Sequence, residues 1–177
     1  LLAGCAAQKS GAETGAAGLT LTDMNGRAVA LSGPAERIVA LSAGDCEILY
    51  AIGAGDRLVG RGEYCDYPAE ALSLPSLQSA TELNVEQILA LEPDAVVLSR
   101  IDLLSDQLET LEQSGVPVVV TDADDIEGVY EAIGLLGQVT GHTGEAEQTA
   151  SEMKKALQAL AERAQGKAGG SVYFEVS

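Results

Sequence analysis

Apolar residues gather along this chain in short uniform runs that alternate with longer segments of helical spacing. Ile38-Val39-Ala40-Leu41, Leu58-Val59-Gly60, Ala95-Val96-Val97-Leu98 and Val116-Pro117-Val118-Val119-Val120 are too short and too evenly apolar for surface helices, and predict strands buried on both faces. A helix is predicted after each. The first follows Ser42-Ala43-Gly44-Asp45, carries Ile48, Leu49 and Ile52 on one face and is stopped by Gly53 and Gly55. The second opens at Asn84 with Gln87 three residues on, a capping-box pattern, turns Val85, Ile88 and Leu89 inward and ends at Pro93. Asp102 caps a third, with Leu104, Leu108 and Leu111 inward and Gly115 at its end. Ile126, Val129, Ile133 and Leu136 stripe a fourth, and Ala150, Met153, Leu157, Leu160 and Ala164 a fifth. From Glu145 to Gln165 this last helix would span about 30 Å at 1.5 Å per residue.

Strand-helix alternation of this kind predicts an α/β fold, an open and mostly parallel sheet with helices on both faces. Leu19–Asp23 and Arg27–Leu31, joined across Asn25-Gly26, predict a small β-hairpin before it. Gly62 opens a connection of about twenty residues, far longer than usual between packed elements. Pro68 to Ala71 offers one helical turn there, while Leu74 to Thr81 has no period and reads as the mouth of a site. After Lys167-Ala168-Gly169-Gly170, Ser171 to Val176 predicts one further strand.

Composition narrows the function. The 177 residues, 46% hydrophobic and 21% charged, are enough for a core, and a net charge of −17 repels nucleic acid and anionic headgroups. No apolar run approaches the roughly twenty residues needed to cross a bilayer. With His142 the one histidine, no histidine-based triad or multi-histidine metal site can be assembled. Gly53-Ala54-Gly55 lacks dinucleotide-loop spacing and precedes a strand rather than a helix.

Open α/β sheets bind at the carboxyl ends of their strands, which here means Ser42 to Asp45, Arg61 to Asp66, Ser99 to Ile101 and Asp122 to Asp124. Ala43, Gly44, Arg61, Tyr64, Cys65, Asp66, Ser99 and Arg100 are therefore candidate ligand residues. Arg61 and Arg100 would suit an anionic ligand; the alternative is a surface arginine paired with one of many carboxylates. Cys46 and Cys65 follow the first and second strands. An oxidising compartment would permit a disulfide between them, and buried free thiols are the other reading.

The Leu41-Ser42 turn with Glu47-Ile48-Leu49, the Gly53-Ala54-Gly55-Asp56-Arg57-Leu58-Val59-Gly60 strand approach, the Tyr64-Cys65-Asp66-Tyr67-Pro68 loop, and Asn84 to Val97 together resemble the N-terminal lobe of the cobalamin and iron-siderophore binding proteins of ABC importers. The resemblance implies residues 19–142 as a ligand-binding lobe, 143–167 as a helix running between two lobes, and 168–177 as the first strand of a second lobe. It implies capture of a metal chelate without catalysis or cofactor, and delivery to a permease and its ATPase through an exposed glutamate, here Glu86. Tyr64 falls where cobalamin binders place an aromatic against the corrin. Where they carry tryptophans, this chain has Ala80 and Ser99 and no tryptophan at all, which with Arg100 tilts the expectation toward a ferric siderophore. Leu1-Leu2-Ala3-Gly4-Cys5 resembles the end of a bacterial lipoprotein signal, with Cys5 lipidated, residues 1–18 a tether, and the protein held at the extracytoplasmic face of the cell membrane. Two other classes share the sheet architecture: an α/β enzyme of chelatase-like build, and the sensory domain of a larger surface protein.

Overall fold

The computed structural model describes residues 18–78, 83–99, 105–167, 169–171 and 173. Cys5, Ala80, Arg100, Asp102 and Leu104 lie outside them. In chain order the elements are β1 (Leu19–Thr22), β2 (Ala28–Leu31), β3 (Ile38–Ala40), α1 (Ala43–Ala51), β4 (Leu58–Gly62), β5 (Ser76–Leu77), α2 (Val85–Leu89), β6 (Ala95–Leu98), α3 (Ser105–Gln113), β7 (Val118–Val120), α4 (Ile126–Thr140) and α5 (Thr143–Ala164). Short 3-10 turns occupy Gly55–Arg57 and Ala69–Ser73. The main sheet has five strands in the order β5-β4-β3-β6-β7, all parallel.

The period-two alternation of a strand sorts these residues into two cores. Ile38 and Ala40, Ala95 and Val97, and Val119 face the side covered by α1 and α4. Val39, Val96, Leu98 and Val118 face the side covered by α2 and α3, where Ile88, Leu108 and Leu111 meet them. The helices of both faces thus follow from the unbroken apolar character of β3, β6 and β7.

The hairpin packs Leu21, Val29 and Leu31 into the first core and is fastened beside β7 by polar contacts. Buried Asp23 accepts from the Asn25 and Arg27 amides at 3.1 and 2.8 Å and from Arg27 Nε at 2.8 Å. Arg27 reaches on to the Val118 carbonyl and to Glu112, and the Met24 amide donates to the Val120 carbonyl.

Two expectations change, and a third is only partly covered. The segment from Leu74 contains a strand, β5, whose two residues pair with Arg61 and Gly62. Ile126, expected on the inner stripe of α4, is exposed, and Ala132, Leu135 and Val139 join Ile133 and Leu136 inside instead. Ser171 and Tyr173 are not in a strand, and the rest of that expected strand lies outside the described residues.

Asp125 caps α4 by accepting from the Gly128 amide, and Gly141, with φ +78°, ends it in the left-handed region. α5 then turns back and packs along α4 over its first turns, burying Ala146 and half-burying Ala150 and Met153. Beyond these it leaves the core behind: Leu157 is half-buried and Leu160 is 56% exposed.

The crossing of α4 and α5 is close enough to require glycine. A Cβ on Gly137 would lie 2.5 Å from Ala146 Cβ and 3.2 Å from the His142 carbonyl oxygen. Gly137→Ala must push the two helices apart, and a loss of about 1–3 kcal/mol is expected in urea unfolding. An unchanged unfolding midpoint would show that this crossing is not tightly packed.

Candidate functional site

From β3 the chain steps through β4 to β5 on one side, then returns to the other side of β3 for β6 and β7. The connections leaving β3 and β6 therefore part in opposite directions, and such a parting is where open parallel sheets form a ligand crevice. Ser42 follows β3 and Ser99 follows β6. The Ser99 amide donates to Ser42 Oγ at 2.7 Å and the Ser99 hydroxyl donates to it at 3.0 Å. Both lone-pair sites of Ser42 are so used, and its hydroxyl stands near the Asp45 carboxyl, whose charged form it favours.

Asp45 is the centre of this network and is only 3% exposed. Its Oδ1 is bonded to the Thr121 hydroxyl, which also lies 3.2 Å from the Leu98 carbonyl. Its Oδ2 is buried without a partner. Burial pushes the carboxyl up to about 7 from 3.8, outweighing the bonds from Thr121 and Ser42. A single hydroxyl hydrogen cannot serve both acceptors facing Thr121. The Thr121 hydroxyl donates to Asp45 Oδ1, and the Leu98 carbonyl at 3.2 Å is its alternative acceptor.

Beside the network opens a cavity of about 490 Å³. Gly44, Asp45, Ile48 and Ala51 of α1 form one wall; Val129, Ala132 and Ile133 of α4 with Thr149 and Met153 of α5 form another. Ser99, Thr121, Asp122 and Tyr67 stand at the strand-end side. The lining is mostly apolar, and its ionisable members among the described residues are Asp45, Glu47, Asp122 and Tyr67.

Of the residues expected from sequence, Gly44 and Ser99 line the cavity, and Ala43 lies at the start of the same helix. Tyr64 is 65% exposed on the loop after β4, as is Tyr67 at 66%, and Asp66 is exposed between them. Arg61 and Cys65 are buried and do not line the cavity. Arg61 Nη1 donates to the Gly62 carbonyl at 3.1 Å, while Nε is buried without a partner. Pairing with β5 extends β4 to Gly62, so Arg61 is a strand residue and not a loop residue. Ala80 and Arg100 lie outside the described residues. Glu86 is exposed in the first turn of α2, where the Asn84 side chain accepts from the Gln87 amide at 3.0 Å. Thr121, Tyr67 and the α4-α5 wall were not anticipated. Thr121 could have been, as the residue directly after a predicted strand. Among the described residues no group of three or more His, Cys, Asp or Glu is placed to hold a metal ion.

A family of periplasmic binding proteins matches residues 38–175. The chain belongs to the periplasmic binding protein family. Membership makes it a binding-protein chain and not an enzyme, in agreement with what its lone histidine led us to expect. The vitamin B12-binding protein of Vibrio campbellii is 32% identical over 146 residues, which is 82% of this chain and 53% of that protein. The periplasmic vitamin B12 binding protein BtuF of Vibrio cholerae superposes with a TM-score of 0.68 at 30% identity, over 75% of this chain and 52% of that one. A periplasmic heme binding protein from Pseudomonas aeruginosa superposes with a TM-score of 0.67 at 27% identity, over 74% and 50%. The chain thus spans about half the length of the binding proteins it matches.

The network makes a signed prediction. Folded Asp45 holds its proton well above the unfolded value of 3.8, so its contribution to stability is full below about 4 and is lost as pH rises through about 7. The urea midpoint should fall across that window in the wild type and fall less in Asp45→Asn, which should be the more stable protein at pH 8. Parallel pH profiles would show that Asp45 titrates normally.

Proposed function

We propose that this chain is the ligand-capturing lobe of an ABC importer's solute-binding protein, and that its solute is a metal chelate, either an iron-siderophore complex or a corrinoid. The observation that carries this reading is the position of the cavity at the parting of β3 and β6, with exposed Tyr67 in its lining, in a chain whose relatives are vitamin B12-binding and heme-binding by name. A tyrosine supplies a flat apolar face and one polar tip, which suits the rim of a large chelate. Ala43, Gly44, Tyr64, Asp66 and Ser99 are the contacts we assign to this lobe. Arg61 and Cys65 support the loop from beneath, consistent with their burial.

The corrinoid alternative is favoured by the 32% identity to a vitamin B12-binding protein. A lipid on Cys5 would tether the protein at the extracytoplasmic face of the membrane, with a permease and its ATPase as partners. Glu86 is the residue we assign to permease docking, because α2 is fixed to the core by Ile88 while Glu86 stays exposed.

Titration of the isotope-labelled chain with cyanocobalamin, haem and a gallium-loaded hydroxamate siderophore, followed by NMR, tests the solute. Shifts are expected at residues 42–45, 64–67 and 99. Affinity should be weak, with Kd above about 1 µM, because the surplus over association costs needs more buried surface than one lobe gives. Shifts confined to other faces, or none with any of the three, would overturn the reading.

Docking is tested separately. Glu86→Ala should leave chelate binding unchanged and weaken association with permease-containing proteoliposomes by roughly twofold to fivefold, as expected for an exposed ion pair. The difference should shrink as salt rises. Loss of chelate binding in this variant would remove the docking assignment.

A further inference from the structure

The loop between β4 and β5 carries both exposed tyrosines, and its two ends are held side by side. Arg61 and Gly62 pair with Ser76 and Leu77, and the Arg61 amide donates to the Pro75 carbonyl at 3.0 Å. Between those ends Cys65 and Ala71 are buried in the core covered by α1 and α4, while Tyr64 and Tyr67 are left outside. The Cys65 thiol donates to the Ala40 carbonyl, at the end of β3, at 3.6 Å.

The first bend of the loop is a turn from Gly62 to Cys65. It is closed by the Cys65 amide, which donates to the Gly62 carbonyl at 3.1 Å, and Tyr64 stands at its third position. Arg61, the strand residue before it, braces this turn. Its Nη1 donates to the same Gly62 carbonyl at 3.1 Å and reaches the Glu63 carbonyl at 3.5 Å, so one donor group ties the first two carbonyls of the turn.

For stability alone this guanidinium is a poor choice. It is only 9% exposed, its Nε has no partner, and Nη1 is turned to neutral carbonyls. A buried charge so held costs free energy that an apolar side chain of similar volume would not. Nor does the Gly62 carbonyl depend on it, since the Cys65 amide already serves that oxygen.

We infer that Arg61 is a positioning residue: it acts through the Gly62 to Cys65 turn to hold Tyr64, and Tyr67 beyond it, in the arrangement that meets the solute. This rests on the solute reading above, in which the tyrosines form the rim of the site. Aromatic side chains fixed before binding lose less freedom on contact, so the brace is felt as affinity. Stability and binding therefore respond to Arg61 in opposite directions.

The test compares the wild type with three variants. Arg61→Met keeps the apolar stem and removes the donors and the charge. Arg61→Lys keeps the charge and one donor group, and Gly137→Ala loosens the remote α4-α5 crossing. In the solute-free chain, exchange of the Cys65 and Asp66 amides, which donate to the Gly62 and Tyr64 carbonyls, should quicken about tenfold in Arg61→Met. The urea midpoint of that variant should stay level or rise. Arg61→Lys should recover part of the slow exchange, and Gly137→Ala should lower the midpoint without moving these two amides. In NMR titrations with cyanocobalamin, Arg61→Met should show a Kd about threefold to tenfold above that of the wild type, the cost of ordering side chains left free. Unchanged exchange at Cys65 and Asp66 would overturn the inference. So would a lowered midpoint with exchange quickened equally through both cores, or equal affinities in the face of quickened exchange. If the wild type binds no chelate, the solute reading fails, while the brace stands or falls by the solute-free exchange.

Discussion

Everything in this lobe follows from the need to cover β3, β6 and β7 on both sides. Ile38, Val39 and Ala40, Ala95 to Val97 and Val118 to Val120 have no exposed surface, so neither face of the central sheet can be left to water. Helices must take both faces, crossovers must run from the end of each strand over one face or the other, and polar groups are driven to the strand ends. Ser99 and Thr121 sit one step beyond a strand and Ser42 two, where the backbone has left the ladder and a hydroxyl can reach sideways to the next strand's exit. The crevice is the outcome of that displacement and not a separate construction.

That network has an ionisable group at its heart, and the consequence is a trade of stability for chemistry. A buried carboxyl with one unpaired oxygen costs the lobe free energy that an alanine would not. In exchange, an acceptor stands at the edge of a mostly apolar cavity whose other ionisable neighbours are Glu47, Asp122 and Tyr67. Arg61, which from sequence seemed suited to anions, turns Nη1 to the backbone of its own loop and buries Nε without a partner.

Much of the fold could be read directly because its signals are local. The runs at Ile38, Ala95 and Val118, the Asn84 cap and the Asn25-Gly26 hairpin each need no distant partner to be recognised. What escaped depends on contacts between remote segments. β5 has two residues, Ser76 and Leu77, too few for any period, and exists because β4 has an open edge there; by pairing with Arg61 it turns a supposed mouth residue into a buried one. The α4-α5 wall of the cavity was hidden for the same reason, since the stripe at Val129, Ala132, Ile133 and Met153 says that these residues seek cover without saying that a hollow lies beside them. The strand-end rule located Gly44 and Ser99, and it missed Thr121 by one residue.

The helix α5 is held like a beam clamped at one end. Its N-terminal turns are locked to α4 where Gly137 admits Ala146, and to α1 where the Thr149 hydroxyl donates to the Ala51 carbonyl. From Met153 to Ala164 it projects for about 16 Å at 1.5 Å per residue with mostly exposed side chains. Leverage is then set by geometry: a tilt of about 5° at the clamp carries the far end by roughly 1.4 Å over that length. The cavity shares Thr149 and Met153 with the clamped section, so any displacement of this wall by a fraction of an ångström would be enlarged at the helix tip.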